Sequence, residues 1–139
     1  MERLGLLASS LLIAIVLSSC SSNYSFIKKD SENLDLNKRI VELNQNAYTG
    51  FVYDTFNNGD TMSVEFYKHG LKHGNWKKFY VGGVLKEIRF FNNGKKEGKY
   101  EGYYIDGDKN FSFNFYNDEY HGTNRIWAKD GQLIEELNY

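Results

Sequence analysis

Hydrophobic and polar residues alternate in short runs along most of this chain. Val64 and Phe66 share one parity, as do Ile88 and Phe90, and Phe111, Phe113 and Phe115 are separated by Ser112 and Asn114. A period of two is the signature of β-strands, whose successive side chains point to opposite faces. Tyr67 and Phe91 fall in the other parity of their runs, so aromatic groups are expected on both faces. One face should be a curled, aromatic-lined core and the other a stripe of Tyr and Lys. The runs are separated by Asn58-Gly59, Gly82-Gly83, Asn93-Gly94, Asp106-Gly107 and Asp130-Gly131, pairs that suit two-residue hairpin turns. In the second of these, Gly83 rather than Gly82 is the expected positive-φ position. Proline is absent, so none interrupts a ladder of hydrogen bonds.

The runs are copies of one unit. Gly50, Gly74, Gly98 and Gly122 stand 24 residues apart, and Gly59, Gly83, Gly107 and Gly131 repeat that interval as structural turn positions. Gly70 and Gly94 form a third column, in which Asp118 replaces glycine. Aromatic columns run in the same phase: Tyr67, Phe91, Phe115 and Tyr139; Phe79, Tyr103 and Trp127 after Thr55; Phe56, Tyr80 and Tyr104 before Ala128. Fixed-period self-similarity fixes the architecture before propensity is considered. The expected fold is all-β, an elongated antiparallel meander of about four 24-residue hairpin units, 50–73, 74–97, 98–121 and 122–139. About nine strands at roughly 4.8 Å each would make a sheet about 40 Å long. Ile40 and Leu43 lie 24 residues before Val64 and Tyr67, so 37–47 reads as a cap strand on the repeat domain 37–139.

The N-terminus follows another pattern. Arg3 precedes a mostly apolar run from Leu4 to Leu17, followed by Ser18, Ser19 and Cys20. The run is short for a bilayer span, which needs about 20 apolar residues, and it reads as a signal helix. Leu17-Ser18-Ser19-Cys20 resembles the bacterial lipobox. The resemblance implies a lipoprotein signal peptide over 1–19, lipidation of Cys20, and export to the cell envelope as a membrane-anchored protein. Residues 20–36 then read as a flexible linker. Cys20 is the only cysteine, which leaves the mature domain without a disulfide or a thiolate metal site.

The run Gly74-Asn75-Trp76-Lys77-Lys78-Phe79-Tyr80-Val81-Gly82-Gly83-Val84-Leu85-Lys86-Glu87, continuing through Phe90-Phe91-Asn92-Asn93-Gly94-Lys95-Lys96-Glu97-Gly98, resembles the MORN repeat variant of the YwqK-like type. Tyr100-Glu101-Gly102-Tyr103-Tyr104 is similar to the start of the standard MORN repeat. The resemblance covers 48–139, and more weakly 37–47, and implies a scaffolding or membrane-proximal interaction module. In bacterial relatives it also implies an antitoxin label. The last unit departs from the pattern at Asn124 and Ala128.

Charge and chemistry narrow the function. Formal net charge is −1, so no strong field draws nucleic acid or anionic lipid. His69, His73 and His121 read as solvated loop residues rather than metal ligands, and the carboxylates show no acid–base pairing. No metal, cofactor or catalytic motif is expected. Aromatic residues make up 17% of the chain, and packing is their ordinary role. Those that surface would form a binding face, for which Tyr53, Trp76, Tyr80, Tyr100, Tyr104 and Trp127 are the candidates. The leading expectation is a non-catalytic module meeting a protein, glycan or lipid partner. An immunity-type partner that neutralises a toxin comes second, and a cell-envelope enzyme third.

Overall fold

The computed structural model describes residues 23–139. The signal helix, the lipobox and Cys20 lie outside them. In order, the strands are β1 (Ser25–Lys28), β2 (Leu34–Asp35), β3 (Glu42–Leu43), β4 (Asn46–Ala47), β5 (Gly50–Thr55), β6 (Thr61–Lys68) and β7 (Leu71–Lys72). They continue with β8 (Gly74–Phe79), β9 (Leu85–Asn92), β10 (Lys95–Tyr103), β11 (Lys109–Tyr116), β12 (Glu119–Tyr120), β13 (Thr123–Trp127) and β14 (Leu133–Asn138). The described residues are all-β. The main sheet runs β1-β5-β6-β8-β9-β10-β11-β13-β14 as an antiparallel meander, except that β1 pairs parallel to β5.

Two kinds of turn alternate along the meander. At the long hairpins the Phe56 amide donates to Asp60 O and the Gly59 amide to Phe56 O, both at 2.9 Å. Tyr80, Tyr104 and Ala128 begin the same pattern in the later hairpins. These are three-residue loops, a β-turn followed by a left-handed glycine in a bulge. The sequence pairs had suggested two-residue turns here. In the Asx-Gly pairs of these long hairpins only the glycine has positive φ, and the preceding side chain accepts a bond from an amide two residues on. Asn58 Oδ1 accepts the Asp60 amide at 3.1 Å, and Asp130 Oδ1 accepts the Gln132 amide at 3.0 Å. In the second hairpin Gly82 and Gly83 both have positive φ, at 90° and 84°, so the expected distinction between them is absent.

The short hairpins do use two-residue turns. His69-Gly70, Asn93-Gly94 and Asn117-Asp118 have positive φ at both positions, the type I′ conformation. Asp118 adopts a φ of 74° without being glycine, and its carboxylate accepts the Lys96 amide at 2.8 Å. Each of these turns is seated on the hairpin before it. The amides of Gly70, Gly94 and Asp118 donate to the carbonyls of Tyr48, Lys72 and Lys96 at 2.7, 2.7 and 3.1 Å. The other margin of the sheet is also tied. Tyr80 and Tyr104 donate their hydroxyls to Tyr103 O and Trp127 O at 3.0 and 2.9 Å.

The core lies at the N-terminal end, on one face. Val41, Tyr48, Val52 and Tyr67 are buried there, with Ile27, Leu34, Leu36, Leu43 and Trp76 packed around them. Two expectations change here. Within the supposed flexible linker 20–36, Ser25–Lys28 is the edge strand of the sheet: Phe26 stacks on Phe51 at 4.6 Å and Ile27 reaches the core. The segment 37–47 does not add a strand to that sheet. Its β3 and β4 pair with β2 in a separate three-stranded sheet that covers the core. A parallel β1–β5 pair needs a crossover connection, and this segment supplies it. Tyr48 locks the junction, its single hydroxyl proton shared between Ser25 O at 2.9 Å and Phe51 O at 3.0 Å.

Three glycines, Gly50, Gly70 and Gly102, leave no room for a Cβ, and Gly102, which pairs with Phe111, is the one of them without positive φ. A Cβ there would sit 2.1 Å from the Phe111 ring, whereas one at Gly59 would meet nothing within 4 Å. Gly102→Ala should lower stability by about 2–3 kcal/mol through overpacking, and Gly59→Ala by about 1 kcal/mol through backbone strain alone. Denaturant melts of the two variants check the order, and equal losses would contradict the Phe111 contact.

Candidate functional site

Strand register assigns the faces. Val52 pairs with Glu65, Trp76 with Arg89, and Arg89 and Phe113 with Tyr100. Val64 opposite Lys77 sets Glu65 beside Trp76. These residues form one row across the face that carries the buried core. The opposite face holds a smaller cluster, in which Phe66 lies 4.9 Å from both Phe51 and Tyr24.

The six aromatic candidates therefore do not share a surface. Trp76 and Tyr100 lie on the core-bearing face. Tyr53 pairs with Val64, one residue out of phase with Val52, and lies on the other. Tyr80 and Tyr104 stand at the hairpin loops with their hydroxyls spent on backbone carbonyls. Trp127 follows a register shift after Ile126, with Lys109 Nζ 6.0 Å from its ring. Period-two alternation cannot be carried through such a shift, because one extra residue reverses the parity.

Between the small sheet and the row of type I′ turns, this face forms a groove of two adjoining cavities. The outer, about 570 Å³, is lined by Leu36, Val41, Tyr67 and Leu71 with Lys38, Arg39 and Lys95. The inner, about 340 Å³, is lined by Lys78, Glu87, Arg89, Phe91 and Tyr100. Lys29, Glu65, Lys72 and Trp76 line both.

The cations are held over rings. Lys72 Nζ lies 4.7 Å from the Trp76 ring centroid and 5.4 Å from that of Phe91. The Arg89 guanidinium lies 3.7 Å from the centroid of Tyr100. Such contacts contribute about 0.5–2 kcal/mol each. One repeats along the chain: Lys96 stands 5.1 Å from Phe115, and 24 residues further on Tyr120 stacks on Tyr139 at 5.2 Å. The two groove carboxylates are already engaged. Glu87 accepts Tyr100 Oη at 2.8 Å and pairs with Lys78 at 2.8 Å. Buried Glu65 accepts Tyr67 Oη at 3.2 Å, with Lys29 Nζ at 4.0 Å.

Ionisation follows the packing. Burial, together with the neighbouring Glu65, pushes the Tyr67 phenol far up and keeps it neutral. Burial and the bond to Glu87 raise Tyr100 likewise. At Glu87 burial opposes ionisation, but the hydrogen bonds from Lys78 and Tyr100 outweigh it and hold the carboxyl below its ordinary value.

Sequence reasoning missed Lys72, Arg89, Glu65 and Glu87. The available signal was the 24-residue column Lys72, Lys96, Tyr120 beside the column Phe91, Phe115, Tyr139. Among the histidines, His73 has a definite bond, its Nδ1 accepting the Asn93 amide at 3.3 Å. Among the described residues no group of three or more His, Cys, Asp or Glu is placed to hold a metal ion. No family model, curated protein or solved structure matches the chain.

A carboxyl depressed in the folded state stabilises the fold above its unfolded pKa of 4.5, and that contribution disappears as pH falls through the lower folded value. Glu87→Gln should cost about 1 kcal/mol at neutral pH, allowing for partial solvation. Thermal melts of the two proteins should converge as pH falls below the carboxylate range. A gap independent of pH would contradict the ionised state of Glu87.

Proposed function

We propose that the chain is an exported, membrane-anchored lipoprotein whose β-sheet is a non-catalytic interaction module. Four 24-residue hairpin units of the MORN-variant kind would form the sheet, and Cys20 would carry the lipid. The lipobox-like Leu17-Ser18-Ser19-Cys20 and the MORN-like run from Gly74 to Gly98 support this reading. The observation that carries it is the groove, where Lys72 and Arg89 are set over Trp76 and Tyr100 on one face of the sheet. Side chains immobilised over rings present fixed charge at little further entropic cost, which is what a recognition surface requires. Acyl chains contribute membrane affinity of about 0.8 kcal/mol per buried methylene, and two or more of them make stable anchoring possible.

The test uses the native chain and Cys20→Ser in fractionated cells. The native chain should sediment with membranes and co-purify with a defined partner from detergent extract. Cys20→Ser should move to the soluble fraction with unchanged strand-type circular dichroism and still capture that partner. Membrane retention of the variant would sink the anchor, and absence of a stoichiometric partner with either form would sink the module.

A further inference from the structure

We infer that the groove receives an extended acidic peptide segment of a partner protein, its carboxylates interleaved with apolar side chains. This rests on the sheet being an interaction module and names what the module would recognise. The charge balance is the first ground. Both carboxylates of the groove are engaged with Lys29, Lys78 and tyrosine hydroxyls. Lys72 and Arg89 have rings beneath them and, among the described residues, no carboxylate within ion-pair distance. The chain as a whole has a formal charge of −1, so this positive face is a local segregation of charge.

The arrangement of those cations is the second ground. Arg39 and Lys95 line only the outer cavity, Lys72 lines both, and Arg89 lines only the inner. Charges spaced along a groove match a linear ligand with several anions better than one compact anion. Leu36, Val41 and Leu71 stand among them in the outer cavity, and suit apolar side chains between the carboxylates. The third ground is the state of the rings. A sugar would stack on an open aromatic face, but cations already cover Trp76 and Tyr100. A guanidinium stacked on a ring keeps its in-plane N–H groups for a carboxylate, which it binds in bidentate fashion.

The native chain in neutral detergent is titrated with a labelled peptide of alternating Glu and Leu, and with its Gln/Leu counterpart. The acidic peptide should bind at least about tenfold more tightly, and Lys72→Gln and Arg89→Gln should each weaken it about tenfold. Lys109→Gln, whose lysine pairs with Glu101 on the opposite face, should leave it unchanged. Lys95→Gln, at the rim, should weaken it about threefold with the melting temperature unaltered, which guards against loss of fold in the inner variants. Equal binding of the two peptides, or none, overturns the inference. So does tighter binding of an oligogalacturonate, which would indicate a glycan, or displacement by phosphatidylglycerol in the micelle, which would indicate a lipid. A cellular partner retained by both inner variants also overturns it, while leaving the interaction module itself standing.

Discussion

The hydrogen bond from each type I′ turn to the hairpin before it sets the spacing on which the rest of the structure depends. Gly70, Gly94 and Asp118 reach Tyr48, Lys72 and Lys96, each 22 residues back. The first turn residue adds a second bond, from its amide to Thr49 Oγ1, His73 Nδ1 or Glu97 Oε2. Two bonds at each turn allow successive hairpins only one relative position. Side chains 24 residues apart therefore stack as columns, and the column Lys72–Lys96–Tyr120 comes to lie over Phe91–Phe115–Tyr139. The aromatic and cationic row is a consequence of turn docking, since no single strand encodes it.

The two ends of the sheet are built differently. At the N-terminal end β1 pairs along β5 and the small sheet closes over Val52, which is 1% exposed. The groove exists because that cover stops partway along the sheet, with Leu36 and Val41 forming one wall and the turn row at Gly70 and Gly94 the other. Farther along, the same face is open, and all six residues of β14 are exposed. Packing thus falls off along the meander, and the groove occupies the boundary between the covered and open parts.

Much of the fold was legible because the information was local and repeated. The glycine columns marked the turns, and alternation marked Phe111, Phe113 and Phe115 as one face, as they are. The turn types were legible only where an Asx-Gly pair spans the whole loop, as at Asn93-Gly94; at Asn58-Gly59 an Asx side-chain bond lengthens the loop by one residue. The role of Ser25–Lys28 was hidden because parallel pairing with β5 has no periodic signature and is fixed by long-range contacts such as Phe26 on Phe51. The candidate site was half visible. Trp76 and Tyr100 lie in the groove, but register shifts after Lys78 and Gly102 separate them from Tyr80 and Tyr104, which follow in the same runs. The cations were passed over because Lys72 and Arg89 look like ordinary solvated strand residues until the next hairpin places a ring beneath each.

The central claim is that Lys72 and Arg89 are held over aromatic rings on one face of the sheet. Side-chain proton chemical shifts measured by NMR test this directly. The methylene protons next to the Lys72 ammonium and the Arg89 guanidinium should be moved upfield of their ordinary positions by the ring currents of Trp76 and Tyr100, and should return when either ring is replaced by leucine. Ordinary, averaged shifts for both residues in the folded protein would contradict the account.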